Sequence, residues 1–281
     1  MIDDRARIFD QLSTFDWKPT SDHFATKLQA LDLALSHAVR DIGLRCISEE
    51  PRVHLSFSGG VDSTLLLYKL VGHGFPVTAH TMAATEENPD LVHAREVVSQ
   101  MEGDVEHKVH MRSFTDEDVQ RSNRILRQEK ERPDNYLMLM EMLSKHTREI
   151  ISGDCIDELT GGYYKHQGGE PKIFRELLGQ VIPNHLTPLN RCSSYYRVRV
   201  HLPYAAKAVL QACGEFAFDE LVGETERKKP IVALATREGV PWKVVGRRKR
   251  GLVSALTGYR SGPAGGHDSL VESRKRSNRV E

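Results

Sequence analysis

Two short runs in this chain combine residue types and spacings that could do chemistry. The first is Ser58-Gly59-Gly60-Val61-Asp62-Ser63, set between the apolar run 53–57 and the apolar segment 64–70. Glycines let a backbone curl closely around an anion, the hydroxyls of Ser58 and Ser63 add donors, and a helix starting there supplies unpaired N–H groups and a positive dipole end. Such a turn is a phosphate cradle. It lacks the lysine of the G-x-x-x-x-G-K-[ST] loop and places Asp62 where an anion would approach, which implies a bridging cation, most simply Mg²⁺. The bland alternative is a tight strand-to-helix turn whose serines and aspartate only cap the helix.

The second run is Ser152-Gly153-Asp154-Cys155-Ile156-Asp157-Glu158-Leu159-Thr160-Gly161-Gly162-Tyr163, with three carboxylates between glycine breaks. Asp154 and Asp157, three apart, share a face if the turn is helical and could then meet Asp62 across a cleft. Carboxylates so placed repel unless a cation or proton lies between them.

Elements that could hold these runs follow from periodicity. Leu28, Leu31, Leu35, Val39 and Ile42 recur at helical spacing along 24–42, a packing helix. Strands are expected at 53–57, 77–82, 105–111 and 149–152, and helices at 64–70, 89–101, 117–129 and 135–146. Strands alternating with helices predict an α/β fold, a parallel sheet with helices on both faces. Ligands of such sheets sit beyond the carboxyl ends of the strands, where both runs fall. His107 and His110, on one strand, would point to opposite faces.

With 281 residues the chain can form one large α/β domain or two small ones. A formal net charge of +0 gives no electrostatic argument for nucleic acid, and 39% hydrophobic with 28% charged residues is ordinary globular composition. No membrane segment is visible. Met1-Ile2-Asp3-Asp4-Arg5 lacks the basic-then-apolar order of a secretory signal, so the expected location is cytoplasmic. Cys46, Cys155, Cys192 and Cys213 are far apart with no C-x-x-C pair, a spacing that suggests neither a zinc nor an iron–sulfur site; they read as reduced, mostly buried thiols. None of these signals sets the oligomeric state.

The SGGVDS turn resembles the pyrophosphatase loop of the adenylating PP-loop enzymes. Followed by S-G-D-x-x-D-E-x-x-G-G-Y, it is similar to the synthetase domain of the asparagine synthetase family, which includes the β-lactam synthetases and lasso-peptide cyclases. His80-Thr81-Met82-Ala83 and Pro89-Asp90-Leu91 with Ala94 and Val97 resemble the family's second strand and following helix. Lys229-Pro230-Ile231-Val232, Val240-Pro241-Trp242 and Arg248-Lys249-Arg250-Gly251 resemble its closing segment. The resemblance runs from residue 24 to about residue 258. It implies an adenine nucleotide alpha hydrolase-like fold followed by a helical C-terminal part. The expected organisation is an N-terminal helical segment at 1–48, a synthetase-like domain at 49–257 and a disordered tail at 258–281.

What the resemblance implies chemically is ATP cleavage between the α and β phosphates, an acyl-AMP and then an amide. Ser58, Gly59, Gly60, Asp62 and Ser63 would hold phosphates, Asp62 and Asp157 would bind Mg²⁺, and Ser56, Ala84, Ser152 and Gly153 would contact the adenosine or AMP. Lys249 matches the catalytic lysine, against the alternative of a solvated basic run, Arg247 to Arg250. Asp154 stands where the family has glutamate, facing the acceptor. Arg199 and Pro203 can be placed on the family's E-x-R-x-P-F-L-D segment; its Glu and Asp cannot. The expected substrate is a small-molecule or peptide carboxylate. Residue 2 is Ile rather than the nucleophilic Cys of glutamine-hydrolysing members, so the expected nitrogen source is ammonia, a separate glutaminase or an amine of the substrate. Adenylation of a tRNA or nucleobase carbonyl, and a non-catalytic ATP-binding protein, stay open as alternatives.

Overall fold

A computed structural model describes residues 1–131 and 133–246. Lys249 with its basic run and the 258–281 tail lie outside the described residues. Among the described residues five strands, β1 (Val53–Ser56), β2 (Val77–Ala83), β3 (Val105–Met111), β4 (Glu149–Ile151) and β5 (Arg199–His201), form one sheet. Every pairing is parallel and the order is β3-β2-β1-β4-β5. β2 is buried along its whole length, as an interior strand covered on both faces must be.

Helices α1 (Arg5–Ser13) and α2 (Phe24–Glu49) precede the sheet. α3 (Val61–Gly72) and α4 (Pro89–Ser99) are the first two crossovers; α5 (Asp116–Leu126) and α6 (Asn135–Leu143) fill the third. α7 (Ile156–Thr160), α8 (Pro171–Gly179) and α9 (Thr187–Tyr196) connect β4 to β5. The helical C-terminal part is α10 (Lys207–Gly214), α11 (Phe218–Leu221), α12 (Lys229–Arg237) and α13 (Trp242–Val245). Leu31, Leu35, Val39 and Ile42 are buried along one face of α2, as their spacing requires. α5 stops three residues before its expected end because Arg127 adopts a left-handed conformation (φ 55°). β5 is an addition to the expected strands; Arg199-Val200-His201 alternates with period two, and only Val200 and His201 are buried.

Two features of this fold position a site. The chain leaves β1 towards β2 on one side and returns as β4 on the other, so the turns after β1 and β4 open into one crevice at the reversal of strand order. α12 also lies against α3, burying Ile231, Leu234 and Ala235, and buried Lys69 on α3 reaches Asp32 Oδ1 (2.6 Å) and Glu238 Oε1 (2.8 Å) just past the end of α12. With the C-terminal ends clamped, both N-terminal ends meet at the crevice.

A ladder of histidines crosses one face of the sheet. His54 Nε2 is 2.8 Å from Glu50 Oε2, His54 Nδ1 is 2.8 Å from His80 Nε2, and His80 Nδ1 is 3.0 Å from His110 Nε2. His146 lies beyond, its ring tilted 47° to that of His110 with the centroids 4.7 Å apart. His107 bonds Thr81 on the other face. Because Glu50 only accepts, each neutral imidazole donates from Nε2 and accepts at Nδ1 along the row. Burial, then the neighbouring imidazoles, pushes His80 down to about 2 and His110 to about 4; burial also lowers His54. These values lie below the unfolded pKa near 6.5, so the unfolded chain takes up these protons first. The ladder's stability is fully present above about pH 6.5 and is lost as pH falls towards the folded values. His80 alone accounts for about 2 kcal/mol between neutrality and about pH 5. Denaturant midpoints should fall over that interval, and His80→Gln should flatten the slope; an unchanged slope would contradict a neutral ladder.

Candidate active site

The Ser58 turn is built as a cradle at the N-terminus of α3. Gly59 has φ +64°, and a Cβ there would sit 2.6 Å from Ala94 N on α4, so both its conformation and its closeness to α4 demand glycine. Gly60 is different: its φ of −80° suits any residue, and it stands at the N-cap without a capping side chain. Ser63 Oγ is 3.3 Å from both Ser58 N and Ser58 Oγ, which closes the turn on itself. Helix-start N–H groups point out of such a turn and lack partners within the helix. The hydroxyl of fully buried Tyr204 donates to Asp62 O (2.9 Å) and fixes the base of the turn.

Ser152 and Gly153 follow β4 directly, Ser56 ends β1, and Ala84 follows β2, so these residues share one edge of the sheet. A Cβ on Gly153 would lie 3.6 Å from Asp62 Cβ and 3.7 Å from Ser63 N, which places the two sequence runs in contact. Asp62 and Asp157 then converge as the sequence predicted, with the ammonium of Lys228 between them: Nζ is 2.5 Å from Asp62 Oδ2 and 2.5 Å from Asp157 Oδ1. Lys228 is 5% exposed, and sequence reasoning did not place it at this site. One signal was present. Arg227, Lys228 and Lys229 stack positive charge on the N-terminus of α12, against the helix dipole, which calls for an anion nearby.

Asp154 does not join them. Cys155 takes a left-handed φ of 82° before α7 begins, so the turn is not helical at Asp154 and the expected shared face with Asp157 is not formed. Asp154 instead accepts from Tyr136 Oη (2.7 Å) and Ser152 Oγ (2.5 Å). Burial and the Asp154 charge raise the Tyr136 phenol, which keeps it a donor. Glu158, buried on α7, pairs with the Tyr163 hydroxyl and lies 3.3 Å from His185 Nε2. Arg199 points away from the crevice, to Glu149. Arg227 donates to Gly162 O (2.7 Å) and stacks on Tyr164, its guanidinium 3.8 Å from the ring centre; burial lowers its pKa.

The residues present fit a divalent cation of the magnesium kind. Asp62 Oδ1 is buried without a hydrogen-bond partner among the described residues, and the donors on offer are carboxylate oxygens, which hard cations prefer. Lys228 already supplies one positive charge to the pair.

A parallel α/β sheet with a glycine-serine turn after its central strand and paired acids at the switch point is a PP-loop-like fold. The asparagine synthase family model matches residues 30–177, just over half of the chain, and the chain belongs to that family. The family comprises ATP-dependent ligases that adenylate a carboxylate and form an amide. The match contains both sequence runs and ends before Lys228. No curated protein matches the chain. Among the described residues no helix is long and apolar enough to cross a membrane.

Proposed function

We propose that this chain converts a small-molecule or peptide carboxylate and ATP into an acyl-AMP and pyrophosphate, and that ammonia or an amine then takes the acyl group to give an amide and AMP. The observation that carries this reading is the meeting of Asp62, Asp157 and Lys228 at the mouth of the Ser58 turn. Backbone N–H groups and the hydroxyls of Ser58 and Ser63 bind the phosphates, with Gly59 and Gly60 allowing close approach. Ser56, Ala84, Ser152 and Gly153 line the edge where adenosine and AMP lie. Asp62 and Asp157 hold Mg²⁺, which when bound neutralises charge on the phosphates.

Lys228 is a fixed positive charge within a largely buried setting, suited to a leaving pyrophosphate. Asp154, oriented by Tyr136 and Ser152, is placed on the acceptor side. Lys249, outside the described residues, is the proposed second cation, where negative charge builds on the α-phosphate and the attacked carbonyl.

The test is a product balance. With Mg²⁺ and a panel of carboxylates, radiolabelled pyrophosphate should exchange into ATP, and complete reactions should give AMP and pyrophosphate in equal amounts. ADP with orthophosphate as the main products would overturn the reading. Loss of exchange across all carboxylates, with ATP still bound, would favour the non-catalytic alternative.

A further inference from the structure

Away from the crevice, a second group of side chains comes together that the proposed chemistry does not use. Cys46 from the last turns of α2, Glu149 at the start of β4 and His201 at the end of β5 are all buried, and one ligand atom from each lies within 4.8 Å of the other two. These residues are 46, 149 and 201 in the chain, so cysteine spacing alone gives no sign of a group that α2, β4 and β5 bring together.

The contacts inside the group are short of protons. His201 stands between two carboxylates, Nε2 3.2 Å from Glu149 Oε2 and Nδ1 3.2 Å from Asp3 Oδ2, the latter out of hydrogen-bonding alignment. A neutral imidazole has one N–H, so either tautomer leaves a ring lone pair facing a carboxylate. The Cys46 thiol bonds to Glu149 as well. Arg199 occupies Glu149 Oε1, and Arg45 Nη1 holds Asp3 Oδ2 at 3.0 Å, so Glu149 Oε2 and His201 Nε2 are the atoms left facing each other.

We propose that Cys46, Glu149 and His201 form a zinc site, with Asp3, 3.2 Å from Nδ1, as the carboxylate towards which His201 would turn its Nδ1–H on binding. Thiolate, imidazole and carboxylate are the donors Zn²⁺ selects, and in a tetrahedral site their atoms lie about 3.5 Å apart, close to the 3.2 Å between His201 Nε2 and Glu149 Oε2 and within reach of a group no wider than 4.8 Å. A carboxylate on the far nitrogen of a ligating histidine fixes its tautomer. Binding replaces the Cys46 S–H bond with a sulfur–zinc bond, the proton leaves to the buffer, and nothing is oxidised or reduced. A cavity of about 130 Å³, lined in part by Asp3, Asp41, Arg45 and His201, opens beside His201 and gives an approach to that side of the group. Ser152 N donates to His201 O (2.9 Å), so the metal would brace the strand pair that ends at the AMP edge.

The test uses the whole chain, stripped with a chelator and titrated with Co²⁺ and then Zn²⁺. One equivalent of Co²⁺ should give a thiolate-to-cobalt charge-transfer band and intense tetrahedral bands, both lost when Zn²⁺ displaces it. Cys46→Ser, which can still donate to Glu149, should remove the thiolate band and weaken Zn²⁺ at least 100-fold, while Asp3→Asn weakens it about 10-fold. Cys213→Ser, on α10, should keep both. Zn²⁺ should raise the thermal midpoint of the wild type and not of Cys46→Ser, a readout that holds if the variant is less stable at the start. Absence of a thiolate band in the wild type, its survival in Cys46→Ser, or cobalt binding with imidazole character alone, as at the histidine ladder, would overturn the proposal and leave the group a hydrogen-bonded cluster.

Discussion

Replacing Lys228 with Met should lower pyrophosphate release by about 10²–10³-fold while ATP binding falls much less, because one preorganised cation at the developing negative charge is worth about 3–4 kcal/mol. The same change should cost stability. Asp62 and Asp157 are each under 20% exposed at the side chain, and removing the ammonium 2.5 Å from both leaves two carboxylates facing each other. Breaking a buried pair in this way costs about 3–5 kcal/mol, towards the lower end where water reaches the acids. Two further measurements separate the causes. Asp62→Asn combined with Lys228→Met should recover part of the lost stability but none of the activity. Mg²⁺ without ATP should raise the thermal midpoint of Lys228→Met more than that of the wild type, since the ion meets an uncompensated pair. Near-normal pyrophosphate release in Lys228→Met would remove this lysine from the reaction.

The cradle and the acids were legible because their chemistry is local. Ser58 to Ser63 is one strand-turn-helix unit, and a glycine-serine-aspartate cluster in that order has few other uses. The alternation of strands and helices gave the parallel sheet, and with it the expectation that the turns after β1 and β4 face one crevice. Lys228 was not legible in the same way. It lies 166 residues from Asp62 and 71 from Asp157, and α12 is brought to α3 by packing and by Lys69 with Glu238 rather than by any local motif. The shared face of Asp154 with Asp157, conditional on a helical turn, did not form for a local reason: a left-handed residue at Cys155 interrupts the helical spacing. Cys46, Glu149 and His201 show the same limit from the other side, since the pairing of β4 with β5 and the packing of α2 make them neighbours.

Gly162→Ala should disable the site from outside its charged groups. A Cβ there would stand 2.8 Å from Asp157 Cα and deep inside the contact distances of Asp157 Oδ1 and Lys228 Cε, so the stem of Lys228 passes where any larger residue would project. Gly162 N also donates to Asp157 O (2.6 Å), and Gly162 O accepts from Arg227, which limits how far this backbone can retreat. Overpacking of this kind costs about 1–3 kcal/mol in stability. Its larger consequence is geometric: moving Lys228 or Asp157 by about 1 Å is enough to cost about 10²-fold in rate. Gly72→Ala is the matched control. Its Cβ would meet nothing within 4 Å at the end of α3, so the helix should gain about 0.5–1 kcal/mol and turnover should not change. If Gly162→Ala turned over like Gly72→Ala, the passage beside Gly162 would not be what sets Lys228 between its acids. If its rate fell with a thermal midpoint only slightly lowered, the close approach of backbone to lysine stem would be part of the catalytic geometry.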